Sequence, residues 1–350
     1  MKLIICYPLF CFLVITIKGA SQETNILSEI PIGLTGNLSE TYNEFSGVAK
    51  WGTKILLIPQ HPDSIGNIIY VLDSNEIDNY LVDPYHEKKV SFSTLKIRNL
   101  TEIQDKIKAK LKFKERWEYG GFEAAVVVKN SIYFTVETNT VCFIVKGTLE
   151  HNAVILRDTM SITKPDTLFK NAGYESLAYL ENENKLIAVY ENNLLNRSTA
   201  YIFDTSLNHL EPVKFESPLF FRLTDIHAFT NHANQYDLIG INHLYNDFRH
   251  DTINPTEFNY YTTGNLEKVY SSSTLLKAQK EMHSYNLFTS SFTRLVGMTV
   301  RNKEINWREI GIISYSEDNW EGILPFKQGV LMVVDGIPPN VPCKLSYFKL

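Results

Sequence analysis

Five segments of the 350-residue chain repeat one plan, and that repetition limits the possible fold more than any other property of the sequence. Each copy begins on a small or acidic residue, runs through apolar residues, turns, and returns as a second apolar run ending on a polar residue. The copies extend from Ser46 to Gln60, Glu123 to Glu137, Glu175 to Glu191, Asp225 to Asn242 and Glu321 to Asp335, spanning 14, 14, 16, 17 and 14 positions. Successive copies start 77, 52, 50 and 96 residues apart, where a four-stranded propeller blade takes roughly 40 to 50. The first step contains a stretch from Asn99 to Glu118 in which Ile103, Ile107 and Leu111 recur every four residues behind a capping Asn99. A helical insert around residues 99–118 therefore accounts for its excess. The last step has room for two blades, the extra one between Tyr245 and Asn306 and around Ser291 to Met298. The expected fold is all-β: a single five- or six-bladed β-propeller, six being preferred, over residues 21–350.

Other runs fall into place as outer strands. Asn67 to Asp73 and Ser198 to Asp204 read as third strands, and so does the final run from Lys344 to Leu350. The closing blade then takes its outermost strand from the N-terminal segment, around Asn25 to Ile32. No Trp-Asp dipeptide recurs at the repeat period, which excludes the WD40 type.

Composition agrees with a folded β protein. Hydrophobic residues make up 44%, aromatic residues 12% and charged residues 21%, which excludes disorder, collagen and a coiled coil. With 34 basic against 39 acidic residues the formal charge is −5, and no nucleic-acid partner is expected. Lys2, an apolar run from Leu3 to Ile17, and Lys18-Gly19-Ala20 read as a secretory signal peptide over residues 1–20. The run is too short to span a bilayer. Its removal near Ser21 would leave a secreted protein, periplasmic in a bacterium, with a charge of −7, no stable membrane insertion and a monomeric state. Of the cysteines only Cys142 and Cys343 would remain, each in an apolar run where a buried free thiol is expected rather than a bridge. Asn37, Asn99 and Asn196 lie in glycosylation tripeptides.

In a hairpin the start of one strand lies beside the end of the next, and a propeller gathers the innermost strands around one channel. Ser46, Glu123, Glu175, Asp225 and Glu321 would thus ring the channel mouth, with Gln60, Glu137, Glu191, Asn242 and Asp335 forming a wider ring outside. Four carboxylates facing one another repel unless they take up protons or a cation. Oxygen-only ligands select a hard ion, and Ca²⁺ tolerates an irregular ring better than Mg²⁺. The alternative is that these acids cap strand starts or bind backbone amides between blades.

The blocks Asn171 to Ala178, Glu191 to Leu194 and Asn319 to Ile323 resemble signature blocks of the secreted esterase-like phytase propellers. The fourth repeat departs from that pattern, ending in Asn242-His243 where the family more often has an acid followed by Arg. The order Ser, Glu, Glu, Asp, Glu at the channel is similar to that of the calcium-activated apyrases. The resemblance implies bound calcium and an anionic phosphoester or nucleotide substrate. In such a hydrolase Glu137 or Glu191 would be the general base and His61 or His243, beside the rim residues, would protonate the leaving group. His227 shares a strand face with Asp225 and is either directed at the channel or a core-edge residue. Lys106, Lys108, Lys110, Lys112 and Lys114 would attract an anion or simply be solvated. No Gly-x-Ser-x-Gly elbow, Walker loop or His-Glu-x-x-His helix is present. The rival class is a non-catalytic propeller with structural calcium, binding a protein or glycan through rim loops such as residues 242–255.

Overall fold

The computed structural model describes residues 25–36, 38–39, 43–84, 89–111, 119–138, 141–165, 172–191, 198–231, 236–244, 291–316, 318–336 and 342–350. The expected signal peptide, Asn37 and Asn196 of the tripeptides, residues 112–118 of the helical stretch and the rim loop from 245 onward lie outside these residues.

The strands are apolar on both faces because both faces are covered. Side chains alternate sides along a strand, and here neighbouring residues pack into different cores: Leu56 and Ile58 into one, Ile55 and Leu57 into another. Likewise Leu186 and Ala188 face one core while Ile187 and Val189 face the next. This is the arrangement of sheets stacked face to face around an axis.

Five four-stranded antiparallel units result. The segment β1 (Glu29–Ile32) precedes the first unit, which is β2 (Phe45–Trp51), β3 (Lys54–Pro59), β4 (Ile68–Asp73) and β5 (Ser93–Arg98), with α1 (Ser74–Val82) between its last two strands. After α2 (Leu100–Lys110) comes the second unit, β6 (Tyr119–Val128), β7 (Ser131–Thr138), β8 (Val141–Glu150) and β9 (Ala153–Thr163). The third is β10 (Ser176–Leu180), β11 (Lys185–Val189), β12 (Ser198–Asp204) and β13 (Glu211–Phe215). The fourth is β14 (Arg222–Asn231), β15 (Tyr236–Leu244), β16 (Phe292–Arg301) and β17 (Glu304–Ser314). The fifth is β18 (Asn319–Phe326), β19 (Gly329–Asp335) and β20 (Lys344–Lys349), completed by β1.

The innermost strands β2, β6, β10, β14 and β18 each contact the next, and β18 returns to β2, so the ring is closed. Five apolar cores fill the spaces between adjacent units. The outermost strands β5 and β9 pair in parallel over three residues, and β13 and β17 over two, which fuses the units two by two into eight-stranded sheets. The N-terminal segment bridges the fifth unit to the fourth through Ile26 and Ile312.

This β-propeller architecture agrees with the expected hairpins, third strands and N-terminal closure. It differs from the preferred six blades. Residues 292–298 belong to the third strand of the fourth unit, and among the described residues β14 touches β18 directly with no further unit between them. The helix starts where the periodicity puts it, but Asn99 has φ 63° and makes no side-chain cap. Its Nδ2 donates instead to Leu156 O at 3.2 Å, pinning the insert to β9. Both cysteines are buried and unpaired. Among the described residues no helix is long and apolar enough to cross a membrane.

Ring closure depends on Gly322. A Cβ there would lie 2.6 Å from Val333 Cγ2 and 3.0 Å from the main chain of Gly47. Overpacking typically costs 1 to 3 kcal/mol, and main chain cannot rotate away. Gly322→Val is expected to lose about 3 kcal/mol in denaturant unfolding. Unchanged stability would contradict the contact between β18 and β2.

Candidate functional site

The first residues of the inner strands and the last residues of their hairpin partners gather at one end of the channel. Glu123 and Glu137 follow from the β6–β7 pairing, Glu175 and Glu191 flank β10 and β11, and Glu321 and Asp335 belong to β18 and β19. Bulges at the starts of β2, β6, β14 and β18 release these positions from regular pairing, as bulges near functional sites often do. Gly121 is required beside them, since its φ is 106° and a Cβ would collide with the carbonyl of Gln60.

Two basic side chains, which the sequence pattern did not single out, stand among the acids. Arg222 Nε donates to Glu191 Oε2 at 2.5 Å and its NH2 to Glu175 Oε2 at 2.8 Å, with Glu321 Oε1 at 3.7 Å. Glu191 Oε1 also accepts from Gly173 N at 3.0 Å. Lys164, fully buried just past β9, donates to Glu137 Oε1 at 2.8 Å. Glu123 is buried, accepts from Gln60 Nε2 at 3.0 Å, and has no basic partner among the described residues. Arg222 is the first residue of β14, three positions before the repeat acid Asp225, and that proximity is the signal that could have found it. Lys164 arrives from an outer strand and carries no such signal.

Burial sets the protonation of the mouth. It raises Glu123 well above the ordinary carboxylate range, reinforced by repulsion from Glu137. Glu175 is likewise raised by burial, with Arg222 opposing. Glu321 is pushed up to about 7 by burial, again against Arg222. Asp335 is raised by burial and by the charges of Glu321 and Glu44, and Glu137 by burial in spite of Lys164.

Several expected positions have other duties. Asp225 Oδ1 accepts from Ile226 N at 2.8 Å and Oδ2 from Ile323 N at 2.9 Å, so this carboxylate ties the fourth unit to the fifth. Ser46 Oγ donates to Ile58 O at 3.4 Å within its own hairpin. Asn242 donates to Phe220 O and Arg222 O and accepts from Arg294 Nε at 2.7 Å, which holds the chain around Arg222. His243 is buried against Thr293 Oγ1 at 2.8 Å. Burial and Arg222 push its ring down to about 3, so at neutral pH it is the neutral imidazole. His61 is half-exposed at the rim, 3.8 Å from Glu44. His227 lies two residues beyond Asp225 in β14, opposite Ile239 of β15. Lys106 pairs with Glu102 on the exposed face of α2, as a solvated helix surface does.

Two acceptors at the mouth lack any donor. Oδ1 of Asp335 and Oδ1 of Asn319, directly opposed in the β18–β19 pairing, are shielded from solvent without a hydrogen bond. Among the described residues no three Asp, Glu, His or Cys side chains already stand together as a metal cage.

No family model and no curated protein matches the chain. Its shape is similar to solved structures at low identity. An aldose sugar dehydrogenase from Streptomyces coelicolor, in its PQQ-bound form, is 10% identical with a TM-score of 0.46, covering 93% of this chain and 99% of that one. The allergen Mala s 1 from Malassezia sympodialis is 10% identical with a TM-score of 0.46, covering 87% and 77%. The Trypanosoma rangeli sialidase is 10% identical with a TM-score of 0.41, covering 86% of this chain and 44% of the sialidase.

Proposed function

We propose that this propeller binds calcium at its channel mouth and uses it in phosphoester or nucleotide hydrolysis, with Glu137 as general base and His61 as proton donor. The observation that carries the reading is a shortage of positive charge. The buried Glu123, Glu137, Glu175, Glu191 and Glu321 and the half-buried Asp335 converge on two basic side chains, Arg222 and Lys164. The donor set suits the ion: carboxylate and amide oxygens with two of them unmet, at Asp335 and Asn319. Glu123, Glu175, Glu321 and Asp335 are the holding residues in this reading, with Ser46 and Asp225 kept for hairpin and inter-blade bonds.

Bound calcium would polarise a phosphoryl oxygen and reverse the repulsion between an acidic mouth and an anionic substrate. Glu137, its proton affinity raised by burial, is suited to take a proton from attacking water. Glu191 has both oxygens engaged and orients Arg222. His61 stands at the open rim with its ring accessible.

One observation favours a second reading, a non-catalytic propeller that binds a protein or glycan. Arg222 and Lys164 already bind three of the carboxylates directly, as a structural mouth requires. Calcium titration by scanning calorimetry, with a hydrolysis assay on a nucleoside triphosphate and a phosphate monoester, separates the two. Calcium at a hundred times its dissociation constant is expected to stabilise the protein by about 2.7 kcal/mol. Glu123→Gln and Asp335→Asn are expected to shrink that gain. Stabilisation without turnover selects the second reading with a structural calcium, and absence of both effects removes the calcium site and the hydrolase and leaves the non-catalytic propeller.

A further inference from the structure

The turn that delivers Arg222 to the mouth is strained. Phe221, the residue before it, has φ 71°, and a bulky aromatic residue in the left-handed region is an outlier that persists only where its surroundings over-determine it. Phe221 is also buried, so the conformation is not a freedom of the surface. Phe220 and Arg222 flank it, and one side chain collects the carbonyls of both: Asn242 Nδ2 donates to Phe220 O at 2.9 Å and to Arg222 O at 3.1 Å.

The third unit holds the same segment from the other side. Leu223 N donates to Glu191 O at 3.0 Å, and Ser176 Oγ donates to Leu223 O at 3.1 Å. The guanidinium of Arg222 is therefore carried on main chain tied to both of the units it joins.

Asn242 is itself held by a buried cation. Its Oδ1 accepts from Arg294 Nε at 2.7 Å. A guanidinium only donates, so the amide has one orientation, with its nitrogen toward the two carbonyls. Arg294 is buried, with Cζ 5.5 Å from the ring centroid of Phe221, 5.8 Å from that of Phe292 and 5.1 Å from that of Trp307. Its NH1 reaches Glu309 Oε2 at 3.3 Å. A planar fork stacked on three rings and tied at Nε and NH1 has little freedom to turn. The ring of Phe221 is thus one wall of the box around Arg294, and the strained residue and the clamp on it support each other.

An acid could not serve at position 242. Three of the five repeats end on carboxylates, Glu137, Glu191 and Asp335. An ionised carboxylate only accepts, and at position 242 it would face the carbonyls of Phe220 and Arg222 with no hydrogen to give.

We infer that Asn242 and Arg294 are positioning residues for Arg222: they hold the strained turn at Phe221 in the form that sets the guanidinium between Glu175 and Glu191. Calcium takes no part in this setting, so it stands or falls apart from the proposed function.

The test is denaturant unfolding of the full chain in chelator at pH 7.5, for Arg222→Met, Asn242→Asp and the double variant, with phenylglyoxal labelling of arginines in the same proteins read by peptide mass spectrometry. Asn242→Asp is nearly isosteric and keeps the acceptor for Arg294, so it removes the two donated bonds without opening a cavity. Arg222→Met is expected to change the unfolding constant about tenfold less in the Asn242→Asp background than in the wild type, because a guanidinium already displaced has little left to lose. In Asn242→Asp, Arg222 is expected to be labelled several-fold faster than in the wild type while the exposed Arg301 reacts at an unchanged rate. General loosening of the fold would not single out Arg222. Arg294→Lys keeps the buried charge without the planar fork. It is expected to speed labelling of Arg222 in the same direction, and takes the place of Asn242→Asp in both measurements if that variant does not fold. Equal effects of Arg222→Met in both backgrounds, or an Arg222 labelled no faster in either variant, would each overturn the inference.

Discussion

Replacing Arg222 by Met is expected to destabilise the protein by about 3 to 5 kcal/mol, the usual result of stripping the partner from buried charges. The guanidinium serves Glu175 and Glu191 directly and Glu321 at longer range, and those three carboxylates are nearly shielded from solvent. Methionine keeps most of the side-chain volume, so the loss would report charge rather than a cavity. Two further features distinguish this account from ordinary packing damage. Acidification should recover much of the loss, since protonated carboxylates need no counter-charge, and calcium should stabilise the variant more than the wild type. Denaturant unfolding at pH 5.5 and 7.5, with chelator and with calcium, reads all three effects. A variant as stable as wild type at pH 7.5 would show that the Arg222 cluster does not form.

Stability in chelator is expected to fall as pH rises from about 5 to 8, opposite to the familiar acid denaturation of proteins. Glu321 has its carboxyl moved from an ordinary 4.5 to about 7, and Glu123, Glu175 and Asp335 move the same way. Between the unfolded and folded values the native state holds more protons than the unfolded chain, so stability declines as pH climbs through that window. A shift of that size in one group corresponds to roughly 3 kcal/mol. Calcium bound as proposed would replace the protons, so the slope should flatten and the apparent affinity for calcium should increase with pH. Melting temperatures at pH 5, 6, 7 and 8 provide the measurement. A melting temperature that rises steadily from pH 5 to 8 in chelator would contradict the raised carboxylates.

The preference for six blades over five rests on the 96-residue step, and spacing alone cannot tell an inserted loop from a repeat. Only the contact of β14 with β18 closes the ring at five. The repeat positions themselves carry no base, so the partners of these acids are not visible in the repeat pattern. Lys164 reaches Glu137 from beyond an outer strand, 27 positions away, and Arg222 reaches Glu191 from the next unit, 31 positions away.

The hairpins were legible in the sequence because each is local: two apolar runs, a turn and a polar end, within about 15 residues. Their burial on both faces was legible as well, since strands covered on both sides lose the alternation that a solvated face imposes. The convergence of Glu123, Glu137, Glu175, Glu191 and Glu321 followed from repetition, because equivalent positions in a ring must share one end. What became of each carboxylate was decided in three dimensions. Asp225 and Glu175 hold equivalent repeat positions, yet one accepts two backbone amides and the other a guanidinium. That difference depends on which donors neighbouring units bring within 3 Å. Chain spacing carries no record of such contacts, and only the packed ring creates them.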